Sequence, residues 1–283
     1  YVERQSGLCE LALHNFPLLG LGHIRIHNRD GVSYLQEMLP VDCLFLDPAR
    51  RDGHGGKTVA ISDCEPDVTV LEPLLVDKAK KVMVKLSPML DLSLALNELK
   101  TVRAVHIVAV NNECKELLLI LQKESVSSEV SIHCEHIVGN GESRHYTFTL
   151  KREKTSPCLL ADEVGTYLYE PNAAILKAGA FRSLTQTYPV AKLHLNSHLY
   201  TSVSLVPDFP GRRFRVEAVS GFGKKELKAF LMDMDKANIT IRNFPLSVAE
   251  LRKRLKLKEG GDDYIFATTL SGGQKVLIRG KKC

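Results

Sequence analysis

Two carboxylates in the first thirty residues have the chemistry needed to hold a nucleoside. Glu3 ends a short β-rich run, and Asp30 precedes Gly31 after another. A carboxylate has two acceptor oxygens, which match the vicinal hydroxyls of a ribose, and Asp30 could accept from an exocyclic adenine amine while Gly31 lets the chain pass close to a flat base. Each residue also has a structural interpretation: Glu3 as an ordinary exposed side chain, and Asp30 as the cap of the helix that follows.

A third polar segment, Asp47-Pro48-Ala49-Arg50-Arg51, follows the apolar run Cys43 to Leu46. Proline has a fixed φ and no N–H, so it stiffens the backbone where a reacting group would lie. Lys85 leaves the next apolar run, where it could bind an anion or form a structural ion pair with Asp47 or Asp63. The predicted catalytic residues are Asp47, Pro48, Arg50 and Lys85.

A long segment, 52–71, separates these two runs. It contains Gly53-His54-Gly55-Gly56 and the acidic run Asp63-Cys64-Glu65-Pro66-Asp67. Long loops at the end of a sheet often carry functional residues. Asp63 and Glu65 are therefore secondary candidates for positioning a substrate or moving a proton.

The elements that position these residues alternate between β-rich runs and amphipathic stretches over the first 150 residues. This alternation predicts an α/β domain with a doubly wound parallel sheet, in which ligands bind at the carboxyl ends of the strands. Helices are predicted at 6–16, 31–38, 92–99 and 113–124. A hairpin is predicted from 129–136 to 144–150, because Gly139-Asn140-Gly141 tolerates the positive φ of a tight turn.

The polar stretch 151–157 is predicted to be a linker, and 163–170 and 172–180 to be a short helical region. After Pro207 the pattern predicts a compact α+β module. Its predicted strands are 213–219, 238–242, 264–269 and 275–279, and its predicted helices are 224–234 and 247–255. We place domains at 1–155, 156–206 and 207–283.

The basic charge of the chain is concentrated in this last module. The 283 residues carry a net charge of +5, but residues 206–283 alone hold 17 Lys and Arg against 9 Asp and Glu. Concentrated basic charge favours binding to a phosphate backbone, and a solvated helix face is the alternative. The predicted nucleic-acid contacts are Arg212, Arg213, Arg252, Lys253, Arg254 and Lys256.

Several classes of protein are excluded by composition. No apolar run approaches the roughly 18 residues of a membrane span. The seven cysteines are scattered and lack a C-x-x-C pair, which predicts neither a disulfide framework nor a zinc module and favours a reducing, cytoplasmic location. No P-loop or zinc-protease motif is present. His133 and His136 are interpreted as half-buried strand residues, and no metal site is assigned.

At the positions above, the sequence resembles class I S-adenosylmethionine-dependent methyltransferases, and the resemblance begins at the second strand of that family's sheet. Tyr1-Val2-Glu3 is similar to the ribose-binding motif, Asn28-Arg29-Asp30-Gly31 to the adenine motif, and Asp47-Pro48-Ala49-Arg50 to the motif beside the transferred methyl group. Together with Val84-Lys85-Leu86-Ser87-Pro88 and the tail that begins at Phe209-Pro210-Gly211-Arg212-Arg213-Phe214, they resemble bacterial methyltransferase-like proteins with a THUMP-like carboxyl-terminal domain.

This resemblance implies a Rossmann-like domain, a small ferredoxin-like segment covering the ambiguous stretch near 160–205, and S-adenosylmethionine as cofactor. Glu3, Asp30, Gly31 and Asp47 would then contact the cofactor. Because the chain starts at Tyr1, we expect a longer parent whose glycine-rich first strand and loop precede it, and weak or no cofactor binding and no activity without them. Asp-Pro-Ala-Arg differs from the Asn/Asp-Pro-Pro-Tyr/Phe of base-amino methyltransferases, so the methylated atom stays open.

The leading hypothesis is a methyltransferase that acts on RNA, which its basic tail binds. One alternative is a non-catalytic, methyltransferase-like scaffold that binds RNA. A third hypothesis is an enzyme of another class that holds a different nucleotide in the same crevice. The choice of RNA over DNA comes only from the resemblance, and the sequence does not indicate the oligomeric state.

Overall fold

The computed structural model describes residues 1–50, 60–123, 129–139 and 141–283, and it divides into two compact units. Unit 1 is Tyr1–Val105 with Glu116–Val130, and unit 2 is His106–Lys115 with Ser131–Cys283. The predicted features at Arg51, Asp52, Gly53-His54-Gly55-Gly56 and Asn140 lie outside the described residues, as does the side chain of Arg50. Within the described ranges, no helix combines the length and apolar character that a membrane crossing requires.

The first half of the chain alternates strands with helices, as the sequence pattern predicts. Its elements, in order, are β1 (Val2–Glu3), α1 (Ser6–Leu18), β2 (His27–Asn28), α2 (Gly31–Glu37), β3 (Val41–Leu46), β4 (Ala49–Arg50), a 3-10 turn (Ile61–Asp63), β5 (Cys64–Glu65), α3 (Val68–Lys78), β6 (Ala79–Leu86), α4 (Leu92–Glu98), β7 (Val102–Val110), β8 (Glu113–Leu121), β9 (Ser131–Ile137) and β10 (Ser143–Thr149).

The strands of unit 1 set the geometry of the candidate site. β1 pairs in parallel with β2, and β3 pairs in parallel with β6, whose other neighbour is the antiparallel β8. In the strand order β8-β6-β3, β3 is the last strand, and its Phe45 is 58% exposed although its run is apolar. β6 is central, and Val82 and Val84 are fully buried.

Aspartate caps fix where three helices of unit 1 begin. The side chains of Asp30, Asp67 and Asp91 accept hydrogen bonds from backbone N–H groups at the starts of α2, α3 and α4. Each of these helices follows a loop that leaves a strand or turn. The caps therefore position those loops as well as the helices.

The remaining elements belong to unit 2. They are α5 (Leu150–Thr155), β11 (Tyr167–Pro171), α6 (Ala173–Ala178), α7 (Ser183–Thr187), β12 (Ala191–Lys192), β13 (Tyr200–Ser202), β14 (Gly211–Ser220), α8 (Lys224–Phe230), β15 (Asn238–Ile241), α9 (Val248–Leu255), β16 (Asp263–Thr269) and β17 (Lys275–Lys282). The strands among them form a seven-stranded sheet of order β12-β13-β11-β14-β17-β16-β15.

Two apolar clusters cover this sheet. One includes Leu168, Phe214 and Phe266, and the other packs Leu251 and Leu255 of α9 against strand residues. In α9 these two leucines are four residues apart and share one face of the helix, while the basic residues between them are half-buried or exposed. The packing of α9 therefore turns its charge outward.

The α/β class and the elements after Pro207 are confirmed, but four local predictions are wrong. Residues 113–124, predicted as a helix, contain strand β8, which extends antiparallel to β6 after a turn at Asn111 and Asn112 with positive φ. The predicted linker 151–157 contains helix α5, and the predicted helical stretch 163–170 contains strand β11. The segment 52–71 is predicted as a long loop, but its last residues, from Val68, belong to helix α3.

Candidate functional site

Glu3 ends strand β1, and Asp30 follows the neighbouring parallel strand β2. In the register of β1 and β2, Glu3 is the partner of Asn28, so Asp30 lies two residues beyond the same edge. The side-chain amide of Asn28 donates to the backbone oxygen of Glu3 at 2.9 Å, which ties the two strand ends together. Oε1 of Glu3 accepts from the backbone N–H of Gln5 at 2.8 Å.

Asp30 is the cap of α2, so the helix-cap interpretation is confirmed. Its Oδ1 accepts from the backbone N–H of Ser33 at 2.8 Å and from the Ser33 hydroxyl at 2.9 Å. These bonds, the backbone one foremost, lower the pKa of Asp30. A Cβ added to Gly31 would meet no described atom within 4 Å, so space is open beside this carboxylate. Its role toward a nucleoside stays a prediction.

Asp47 and Lys85 form an ion pair at the carboxyl ends of β3 and β6. Leu46 of β3 is the register partner of Val84 of β6, so the next residue on each strand projects at the same end of the sheet. Lys85 Nζ lies 2.8 Å from Asp47 Oδ2, and this hydrogen bond raises the pKa of Lys85. The side chain of Asp47 is 52% exposed, which leaves its carboxylate accessible to a ligand.

Glu116, which sequence reasoning missed, adds a second carboxylate to this cluster. Its Oε2 lies 3.8 Å from Lys85 Nζ. The predicted helix at 113–124 does not place Glu116 beside Lys85, whereas strand β8 runs antiparallel beside β6. The apolar run Leu117–Leu121 suits a strand as well as a helix, and assigning it to a strand would have indicated this neighbour.

A further ion pair connects the edge at Glu3 with the turn that follows Asp47. Arg4, the residue after Glu3, donates to Oε1 of Glu65 at 3.0 Å. Glu65 lies in β5 and is the register partner of Ala49 in β4. The positive charge of Arg4 also contributes to the lowered pKa of Asp30. Contacts therefore run from the carboxyl end of β1 through Arg4 and Glu65 to the segment that follows Asp47.

The other predicted site residues of unit 1 have varied environments. Pro48 is buried, which agrees with a rigid turn after β3. The backbone of Arg50 pairs with Cys64 in the β4–β5 ladder. Asp63 ends the 3-10 turn and is exposed. Of the two predicted ion-pair partners of Lys85, Asp47 and Asp63, the structure shows Asp47.

Some of the predicted nucleic-acid contacts at α9 make contacts within the protein, and others are exposed to solvent. Lys253 is exposed, and Lys256 ends the helix in a left-handed conformation with φ of 57° and is also exposed. Arg252 donates to the backbone oxygen of Ala237 at 3.1 Å and is half-buried. The guanidinium carbon of Arg254 lies 5.3 Å from the ring centre of Phe222.

Arg212 and Arg213, at the start of β14, make contacts within the protein. Arg212 Nε donates to Oε2 of the buried Glu170 at 2.8 Å, and Arg242 binds the other oxygen of the same carboxylate. Arg213 donates to the backbone oxygen of Pro207. These arginines support the fold, and their role toward nucleic acid stays a prediction.

The three histidines near Glu135 do not form a metal centre among the residues that the structure describes. His106 and His133 stack with ring centres 4.6 Å apart, and Glu135 lies between His106 and His145. Glu135 and His145 are direct register partners on β9 and β10. The cluster is a set of contacts across neighbouring strands.

Comparisons with known proteins agree with this architecture. A family profile described as a ferredoxin-like domain matches residues 167–210, and one described as THUMP domain-like matches residues 211–282. A solved structure, described as "putative methyltransferase from Porphyromonas gingivalis W83", is 36% identical in sequence and superposes with a TM-score of 0.88. The match covers 100% of this chain and 71% of that chain. Among curated proteins, none matches the sequence significantly.

The fold and the matched domains define a methyltransferase-like α/β protein that carries a ferredoxin-like and a THUMP-like domain. At 36% identity over its whole length, the chain belongs to the family of the methyltransferase-like protein from Porphyromonas gingivalis W83.

Proposed function

We propose that the protein transfers a methyl group from S-adenosylmethionine to RNA, with the α/β part holding the cofactor and the basic THUMP-like part holding the RNA. The observation that carries this proposal is the accessible Asp47–Lys85 pair at the strand ends, joined through Arg4 and Glu65 to the edge at Glu3. Both places are carboxyl ends of parallel strand pairs, β1–β2 and β3–β6, and ligands bind at such strand ends in α/β proteins. Family membership supports the choice of methyl transfer.

The residues at the β1–β2 edge fit the adenosine half of the cofactor. Glu3 would accept from the ribose hydroxyls, and Asp30 would accept from the adenine amine across the open space beside Gly31. Asp30 is ionised at neutral pH, as aspartates ordinarily are, and the Ser33 bonds lower its pKa further. The bound cofactor would supply an electrophilic methyl group on a sulfonium centre.

Asp47 would orient the attacking group of the RNA and accept its proton or polarise it. Methyl transfer needs an aligned nucleophile and an acceptor for the proton, and little else. Lys85 holds the carboxylate of Asp47 in place from one side, and the buried Pro48 fixes the turn from the other. Arg50 and Glu116 are further candidates for positioning the substrate.

Substitution of Asp47 in the full-length protein tests this assignment. Asp47→Asn should abolish methyl transfer while it changes cofactor affinity only a few-fold, because the side chain keeps its shape and loses its charge. Asp42→Asn is a matched control, since Asp42 also lies at β3 and also pairs with a lysine of β6, at 2.7 Å from Lys80. Unchanged turnover in Asp47→Asn would refute the catalytic role.

The RNA-binding role rests on the outward-facing charge of α9. Because phosphate contacts release counterions, RNA affinity should fall steeply with salt, and the double variant Lys253→Gln/Lys256→Asn should bind more weakly with a log–log salt slope smaller by about 2. Lys123→Gln is the control, since Lys123 is an exposed lysine of unit 1 paired with Asp77. Salt-insensitive binding would contradict the proposal.

One observation favours the alternative of a non-catalytic RNA-binding scaffold. The ammonium of Lys85 is already bound to Asp47, which is also what a purely structural ion pair would look like. On this alternative, the full-length protein binds RNA but transfers no methyl group. The methyl-transfer assay therefore separates the two functions directly.

A further inference from the structure

Two aromatic rings lie side by side at one end of the THUMP-like part. Phe222 follows β14 and Phe244 follows β15, and their ring centres are 5.2 Å apart with an angle of 28° between the planes. Both rings are half-buried and pack against the apolar cluster that contains Leu251 and Leu255. Their positions are therefore fixed by the core, while part of each ring faces solvent.

These rings line a cavity of about 340 Å³ whose polar side chains are both cationic. We name it the aromatic pocket; its lining residues are Phe222, Phe244, Pro245, Leu246, Arg254 and Lys275. The guanidinium of Arg254 stands over the Phe222 ring at 5.3 Å, within cation–π distance. No carboxylate is among the residues that line this cavity. Its volume is in the range of pockets that hold small ligands or parts of them.

We propose that the aromatic pocket binds an unpaired base of single-stranded RNA. Bases stack on aromatic side chains and on arginine guanidinium planes, and the adjacent phosphates need cations, which Arg254 and Lys275 supply. The charge of the surrounding module, 17 Lys and Arg against 9 Asp and Glu in residues 206–283, matches a polyanionic chain. This inference rests on the proposed RNA-binding function and names the kind of RNA element that is recognised.

If a base stacks in the aromatic pocket, the protein should prefer single-stranded RNA to duplex RNA, which binding by charge alone does not predict. A base inside a duplex cannot enter the pocket without leaving its stack, so the protein should prefer an unpaired strand over the same sequence in a duplex. A basic helix that binds phosphates alone would not prefer the single strand, because a duplex carries two phosphate backbones and therefore the higher charge density.

The test compares the full-length protein with variants that keep apolar volume and remove a ring. Affinities for a fluorescent single-stranded RNA hexamer, and for the same sequence in a duplex, are measured by anisotropy at several salt concentrations. Phe222→Leu or Phe244→Leu should weaken single-strand binding about 5- to 100-fold, leave duplex binding within about 2-fold, and leave the salt slope unchanged. Phe244→Tyr, which keeps a ring, should retain most of the affinity.

Phe16→Leu is the matched control, since Phe16 is a half-buried aromatic residue of α1. Thermal unfolding checks that each variant is folded. If the Leu variants do not fold, photo-crosslinking of a 4-thiouridine hexamer to the unaltered protein replaces them, and adducts should map to 222–254 or to Lys275. Adducts only elsewhere would overturn the inference.

The outcomes separate this inference from the proposed function. Single-strand binding that is unaffected by either Leu variant would overturn the base pocket and leave the RNA-binding function standing. Equal binding of single strand and duplex by the unaltered protein would also overturn it. Absence of any RNA binding by a folded protein would overturn both, and would turn attention to a protein ligand for the pocket.

Discussion

Replacing Glu170 with Gln tests whether one buried carboxylate joins the ferredoxin-like and THUMP-like parts. Glu170 lies on β11 and is 2% exposed, and its two oxygens bind Arg212 of β14 and Arg242, which follows β15. Loss of one partner of a buried ion pair costs about 3–5 kcal/mol. Both arginines are about one third exposed, at 34% and 36%, so water would recover part of this cost. We expect about 3 kcal/mol.

Thermal unfolding followed by circular dichroism measures this change. For a unit of this size, about 3 kcal/mol corresponds to a decrease in Tm of roughly 6–12 °C. Glu217→Gln is the matched control, because Glu217 is an exposed glutamate of β14 and its loss should change stability by less than about 0.5 kcal/mol. A decrease in Tm no larger than that of the control would refute the reasoning, because Glu170 would then behave as a surface ion pair.

Two further predictions concern titratable groups that burial affects, the half-buried His198 and the buried Cys134. Burial lowers the pKa of His198 to about 4, so between about pH 6.5 and 4 the unfolded chain binds a proton that the folded protein does not, and stability falls as the pH falls through this window. Asparagine tolerates the positive φ of 53° at position 198, so His198→Asn should fold. Between pH 7 and pH 4.5 the Tm of this variant should fall less than the Tm of the unaltered protein. His14→Asn, at an exposed position, is the control, and identical Tm profiles for all three proteins would contradict the prediction. Burial also raises the pKa of the Cys134 thiol, so Ellman's reagent should label the exposed Cys283 in the native protein and Cys134 only after unfolding, and rapid native labelling of Cys134 would show that its strand is more open than described.

The sequence predicted elements whose signals are local. Helix α9 and its flanking strands β15 and β16 occur within a few residues of the predicted bounds. Their signals are local, and the structure adds a cap by the side chain of Ser247, the residue before the helix. The parallel arrangement at the ends of β3 and β6 also follows from pattern alone. It places Asp47 beside Lys85, as the sequence suggested.

The sequence did not predict features that depend on distant partners. Apolar residues 117–121 fit either a helix or a strand, and only the neighbouring β6 selects the strand, which is why Glu116 was missed. Arg212 belongs to a basic cluster by composition, but its guanidinium binds Glu170, 42 residues earlier in the chain. The pairing of Phe222 with Phe244 likewise depends on the sheet.

The central claim is methyl transfer to RNA at the Asp47 turn. The most direct measurement is transfer of radiolabelled methyl groups from S-adenosylmethionine to bacterial total RNA by the full-length protein, compared with Asp47→Asn and Asp42→Asn. The proposal predicts labelled RNA with the unaltered protein and with Asp42→Asn, and none with Asp47→Asn. Equal labelling by all three proteins would contradict the role of Asp47, and no labelling by any of them would contradict methyl transfer to RNA.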